Sequence, residues 1–321
     1  MLDSALSMCL DRAIEQVGAR CRQSAPASAQ ALVDWTWRLS PTGRARDYFD
    51  GGRAIMFLLP WWLEQRVRAN PDVDFHELLT ESTVNAYYFV RLIDNVLDEN
   101  AAEERDLLPL LGILHANFYR AYTRLFPAAD PFWDHFDRYW DGTMEAALRD
   151  KRLGEISSND FTGIVARKTS GIKIPLAAVC CRYGRLDLLE PWCAFYDTLA
   201  CWQQMLDDTF DWMRDLQHGN STFFLSEGNR QKRAGESIAG WVVRGGFAWA
   251  IDRLSSMMQE ARGCAAQLES PALLRFLEYR DAEVREYAAR LTQPLKEVAV
   301  VANLFEPIDS RPPAPRRGRR G

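Results

Sequence analysis

The chain reads as all-α, a bundle of about ten helices without a sheet. Two observations lead there. Apolar residues recur at three- and four-residue steps over 74–98, 131–149, 187–216, 237–266 and 271–291, the repeat that keeps one helix face apolar. Nowhere do several β-branched, alternating runs stand between turn dipeptides, which is what a sheet would require. Breaks are expected at Ser40-Pro41-Thr42-Gly43, Asn70-Pro71, Pro127, Pro131, Gly184, Gly219 and Gly228. They punctuate one bundle rather than mark a linker, so residues 1–309 are expected to form a single domain. Ser310–Gly321 (SRPPAPRRGRRG) differs: Pro, Gly and five arginines cannot pack a core, and this stretch reads as a disordered basic tail. Such a tail either binds an anionic lipid or polyanion, or is simply solvated.

At 321 residues, 47% hydrophobic and 26% charged, the composition is that of an ordinary globular protein. A formal net charge of −5 gives no reason to expect nucleic acid as a partner. The N-terminus is an amphipathic helix pattern with early acids, unlike a signal peptide. The longest apolar run, Ala54–Leu63, is about half of a membrane span. No transmembrane segment is therefore expected, and the chain is cytoplasmic in character. Seven cysteines, with no CxxC pair, read as buried reduced thiols.

The chemistry concentrates in three places. Asp207-Asp208-Thr209-Phe210-Asp211, followed by Asp215, puts carboxylates one turn apart on a helix that is otherwise apolar and aromatic. Like charges at that spacing repel, and a hard divalent cation held by carboxylate oxygen relieves the repulsion. Asp94 and Asp98 repeat the i,i+4 arrangement on a second apolar helix, with Arg91 one turn before. Either set alone could be an exposed acidic stripe. Two sets on two apolar helices suggest the facing walls of a carboxylate metal site. Third, Arg167-Lys168-Thr169-Ser170-Gly171 precedes the apolar run Ile174–Cys181 and offers cations and hydroxyls suited to phosphate oxygens. No pair of the four histidines has ligand spacing, so a histidine metal or nucleophilic site is not expected. Gly51-Gly52 and Gly219 lack the strand–loop–helix setting of a nucleotide-binding loop.

These motifs carry a resemblance. YFVRLIDNVLDE (88–99) looks like the first Asp-rich helix of the squalene/phytoene synthase group. QQMLDDTFDWMRDLQHGNSTFF (203–224) resembles the second Asp-rich helix of the trans-isoprenyl diphosphate synthases and their terpene synthase relatives, and RKTSG (167–171) their Lys-Thr diphosphate-binding position. The motifs span roughly 85–225 and resemble the class I isoprenoid synthase superfamily. There are departures: Asn95 stands where the first motif usually has a second Asp, and Gly51-Gly52-Arg53-Ala54-Ile55-Met56 is only a partial match to the Gly-Gly-Lys-Arg segment of chain-elongating synthases. The NSE motif of many bacterial cyclases is replaced by DDTFD.

The resemblance implies a helical bundle around a central active-site cavity, commonly paired into a homodimer, and three Mg²⁺ per site, replaceable by Mn²⁺. Asp94, Asp98, Asp207 and Asp211 would be the catalytic metal-holding residues, assisted by Asp208 and Asp215. Arg53, Arg91, Arg167, Lys168 and Thr169, with Arg280, would clamp the diphosphate. The carbocation would be walled by aromatics such as Phe57, Tyr87, Tyr88, Trp202 and Phe223, with Trp61, Phe89 and Trp140 as further candidates, although for each taken singly ordinary core packing is the commoner role. The implied reaction is that of a terpene synthase, a lyase that ionises farnesyl or geranylgeranyl diphosphate and cyclises or rearranges the cation. The alternatives are a prenyltransferase, coupling head-to-head or extending a prenyl chain, and a silent helical binding protein. Clustered charge in an apolar setting argues against the last.

Overall fold

The structure is a computed structural model that describes residues 2–98, 102–150 and 153–304, with side chains at 2–97, 104–150 and 153–292. The basic segment 310–321 lies outside the described residues. No strand occurs among them; the helices are α1 (Ser4–Ser24), α2 (Pro26–Arg38), α3 (Ile55–Val67), α4 (Val73–Asp98), α5 (Ala102–Arg105), α6 (Leu111–Thr123), α7 (Phe132–Asp150), α8 (Ser158–Lys168), α9 (Lys173–Tyr183), α10 (Leu189–Phe210), α11 (Trp212–His218), α12 (Phe223–Gln231), α13 (Ile238–Trp241), α14 (Phe247–Gln267) and α15 (Pro271–Leu304). Among the described residues none is long and apolar enough to cross a membrane. The run Ala54–Leu63 is buried throughout because α3 runs through the core, touching α4, α9 and α15.

Helix α4 explains how the bundle is organised. Val84, Tyr88 and Leu92, at four-residue steps, are fully buried as α4 packs on α1 and α6. The neighbouring stripe, Thr83, Ala86, Tyr87, Val90, Arg91 and Asp94, faces a cavity instead. Helix α10 is built alike: Trp192, Phe195, Leu199 and Trp202 are buried, while Tyr196, Ala200, Gln203, Gln204 and Asp207 face the cavity. Helices α8, α9 and α14 pack around α10.

Two expected helices are interrupted. The 187–216 segment breaks at Asp211 (φ −99°, ψ 5°) between α10 and α11, although the backbone bonds Asp211 N to Asp207 O (2.9 Å) and Asp215 N to Asp211 O (3.0 Å) carry the helical ladder across. The 237–266 segment contains a π-turn at Val242–Gly246. Trp241 is the physical reason: a Cβ on Gly246 would stand 2.6 Å from its ring, so only glycine lets the backbone pass. Gly228 is a helix-interior residue of α12 rather than a break, and for the same reason, since its Cβ would meet the Trp241 ring at 2.9 Å. Gly219, left-handed at φ 72°, does end α11. All seven cysteines are free; Cys181 and Cys264 are half-buried and the others buried.

Candidate active site

A cavity of about 650 Å³ opens between α4, α6, α7, α8, α10 and the segment 214–223. Its polarity runs along its two main walls. On α4 the lining passes from Thr83, Ala86 and Val90 to Arg91 and Asp94, and on α10 from Tyr196 and Ala200 to Asp207, Asp208 and Asp211. Eleven residues of helix separate Thr83 from Asp94 and Tyr196 from Asp207, so each wall turns from apolar to acidic over roughly 16 Å. Phe118, Tyr122, Trp140, Phe161, Ile164 and Phe223 complete the apolar part.

The acidic end is electrostatically frustrated. Asp94 and Asp207 sit near the C-termini of α4 and α10, where the helix dipole is already negative and disfavours further negative charge. Burial and then the neighbouring Asp211 push the Asp207 carboxyl up to about 6, against the pull of Arg53, Arg280 and Arg91. Burial pushes Asp208 up to about 7. Asp215 is likewise raised by burial, although Asn220 Nδ2 donates to it at 3.2 Å. Asp150, at the end of α7, joins this group and accepts from Lys168 Nζ at 3.0 Å. Burial draws the Lys168 ammonium downward, but Asp94, Asp150 and Asp208 outweigh it and hold the pKa above its ordinary value.

Guanidiniums cover the side between α4 and α15. Arg53 lies over the Tyr48 ring at 4.4 Å and donates from Nε to Tyr87 Oη at 3.3 Å. Arg280 rests against Gly52, where a Cβ would stand 3.0 Å from its Nη2, and its Nη1 donates to Glu283 at 2.6 Å. The Nε atoms of Arg91 and Arg280 are buried and find no hydrogen-bond partner among the described residues.

Of the residues singled out from sequence, Asp94, Asp207, Asp208, Asp211, Asp215, Arg53, Arg91, Lys168, Thr169, Arg280, Tyr87, Trp140 and Phe223 line this cavity. The side chain of Asp98 lies outside the described residues. Arg167 is exposed and not part of the lining. It sits one residue before Lys168 at the end of α8, and the turn of the helix carries it outward. The Arg167–Gly171 stretch is thus the joint between α8 and α9, because a Ser157/Asp160 capping box starts α8 well upstream. Thr169 lines the cavity, yet its hydroxyl donates to Val165 O at 2.8 Å.

Phe57, Tyr88 and Trp202 do not line it. Phe57 packs edge-on to Phe49, Tyr88 packs between Trp35 and Phe49, and Trp202 lies under Arg280 at 5.9 Å. Trp61 packs on His76 and Phe89 on Trp140. The sequence reading missed Asp150, Gln203, Gln204, Tyr196 and the Asn220-Ser221-Thr222 turn, and it set aside His218, which also faces the cavity. For Asp150, the final residue of an ordinary amphipathic helix, no signal in the sequence was there to find.

Among the described residues no three acidic, histidine or cysteine side chains converge closely enough to hold a metal by themselves. The donor set nevertheless fits Mg²⁺, which takes one or two carboxylates and fills its remaining positions with water and phosphate oxygens.

No protein-family model matches the chain, and no curated protein does. Among solved structures it is similar to the geranylgeranyl pyrophosphate synthetase from the archaeon Geoglobus acetivorans, with a TM-score of 0.60 and 14% identity, over 87% of this chain and 99% of that one. A likeness at 14% identity shows the fold: this chain has the all-α architecture of that isoprenyl diphosphate synthase.

Proposed function

We propose that the protein is a Mg²⁺-dependent class I terpene synthase, which ionises a linear prenyl diphosphate such as farnesyl or geranylgeranyl diphosphate and cyclises or rearranges the cation with loss of diphosphate. The observation that carries this reading is the polarity of the cavity: carboxylates backed by cations at one end, and aromatic and aliphatic side chains at the other. An amphiphile with a highly charged head and a hydrocarbon tail matches it end for end.

Asp94 and Asp98 from one wall, with Asp207, Asp211 and Asp215 from the other, would hold the metal. Bound there, Mg²⁺ supplies neutralisation of the diphosphate charge as the carbon–oxygen bond breaks. Lys168 donates to diphosphate oxygens and exchanges its Asp150 partner for them, while Arg53 and Arg91 approach from the opposite side. The released allylic cation faces Tyr122, Trp140, Phe161 and Phe223, aromatic rings of the kind whose faces attract positive charge.

The test is incubation with Mg²⁺ and, separately, geranyl, farnesyl and geranylgeranyl diphosphate, followed by gas chromatography–mass spectrometry of the extracts. A hydrocarbon or alcohol from a single diphosphate supports the reading; release of diphosphate only when a second prenyl substrate is present replaces it with prenyl transfer. One observation favours that second reading. Arg53, Arg91 and Arg280 together present more cationic donors than one metal-bound diphosphate needs, with two guanidinium nitrogens left unpaired among the described residues. A second anionic substrate would engage them.

A further inference from the structure

Asp208 differs from its acidic neighbours in what its carboxylate does. One residue on from Asp207, it is turned about 100° around the helix and is only 3% exposed. Its Oδ1 accepts from Gln204 Nε2 at 2.8 Å, and its Oδ2 accepts from the Phe223 backbone N–H at 3.0 Å. Phe223 is the first residue of α12, where backbone N–H groups lack partners within the helix. The Thr222 hydroxyl satisfies another of them, on Leu225. The carboxylate therefore joins α10 to the start of α12 across the 211–222 segment.

The consequence reaches the apolar wall. Phe223 stacks on Phe161 at 4.8 Å, and both line the cavity. Behind them Phe224 packs on Trp241 at 5.0 Å, the ring for which Gly228 and Gly246 leave space. Asp207, Asp211 and Asp215 keep the four-residue spacing that presents carboxylates to the charged end of the cavity, and Asp208 is spent on holding the hydrocarbon end.

We infer that Asp208 is a positioning residue: it sets the Phe161–Phe223 wall through the N-terminus of α12 and so shapes product specificity, and it is not a metal ligand of the acidic face. The inference rests on the proposed function, since it presumes that the cavity takes metal and diphosphate.

Asp208→Asn separates the two roles. An asparagine oxygen still accepts from Phe223 N–H, and its amide donates to the Gln204 oxygen once that side chain flips. A metal ligand, by contrast, loses its charge. Mn²⁺ binding in the presence of inorganic diphosphate, followed by calorimetry, is compared for the wild type, Asp208→Asn, Asp208→Ala and Asp207→Asn. The expected result is a midpoint within about twofold of wild type for Asp208→Asn and at least about tenfold weaker for Asp207→Asn. Asp208→Ala shifts the product distribution or raises KM for the prenyl diphosphate severalfold, and Asp208→Asn restores both. A tenfold weaker midpoint in Asp208→Asn, or no rescue of product distribution and KM, overturns the assignment. Should Asp208→Ala not fold, the contrast between the two asparagine variants decides. If the wild type binds no Mn²⁺ with diphosphate, it is the functional reading that fails. The contact is then judged by stability alone: a melting temperature lower in Asp208→Ala than in Asp208→Asn, both of them uncharged, upholds it, and equal temperatures refute it.

Discussion

Replacing Asp208 by asparagine should stabilise the metal-free protein near neutral pH, with a pH signature that follows from burial. In the unfolded chain the carboxyl ionises near its ordinary value of 3.8; in the fold, burial raises it to about 7. Below pH 4 both forms are protonated and the group contributes no penalty. Between pH 4 and 7 the unfolded chain gives up the proton while the folded one retains it, so stability falls as pH rises, and above 7 the loss is constant. A rise from 3.8 to about 7, at about 1.36 kcal/mol per pH unit, amounts to at most about 4 kcal/mol. Asparagine keeps both hydrogen bonds and has no charge to bury. The variant should therefore match the wild type near pH 4 and exceed it above pH 7 by up to about 8 °C in melting temperature, taking about 2 °C per kcal/mol for a chain of this length. The assay is scanning fluorimetry in excess chelator from pH 4 to 8. A difference that is flat across that range, or a wild type more stable than the variant at pH 8, would refute the electrostatic argument.

Three further outcomes are expected. Asp94→Ala and Asp207→Ala each lower product formation from prenyl diphosphate by at least about 10²-fold, the scale for removing an electrostatic group from a transition state, with circular dichroism unchanged; near-normal turnover in both would sink the assignment of the acidic walls. Gly246→Ala drives a methyl into the Trp241 ring and should destabilise by about 1–3 kcal/mol in urea unfolding, a loss that Trp241→Leu relieves if the clash is the cause. Glu64 is fully buried; its Oε1 accepts from the Tyr183 hydroxyl (2.7 Å) and the Asp72 N–H (2.8 Å), and its Oε2 lies 2.7 Å from His76 Nε2. Glu64→Ala strands all three and should cost about 3–5 kcal/mol, which chemical denaturation would measure; a change under 1 kcal/mol would mean that water takes over those contacts.

The interruptions inside the long helical segments show where a one-dimensional reading stops. The period of apolar residues through 187–216 and 237–266 is truly helical, and it survives both the break at Asp211 and the π-turn at Val242–Gly246. The apolar period marks neither; at the second, Gly246 stands where the Trp241 ring claims the space of a side chain. Gly228 is the reverse case: a residue that normally signals a break sits mid-helix because Trp241 occupies the space of its side chain.

The aromatic residues teach the same lesson at the site. Tyr87 and Tyr88 are adjacent and chemically identical, and about 100° of helical rotation sends the first to the cavity and the second into the core beside Trp35. Which of the two would face a substrate depends on where α1 and α6 pack, and nothing local to the sequence encodes that.

What the sequence determined by itself was the helical class and the acidic faces. Both are local properties: the first is a period of 3.6 residues, the second a set of like charges at four-residue spacing that repel unless something positive lies between them. The tertiary structure alone decided which side chains surround the cavity, that Asp150 faces Lys168, that Arg167 turns outward, and that Asp208 is bound to α12 rather than left open. Those are contacts between residues from 15 to 151 positions apart in the chain, and they exist only once helix packing has chosen which face of each helix is buried and which is left to line the cavity.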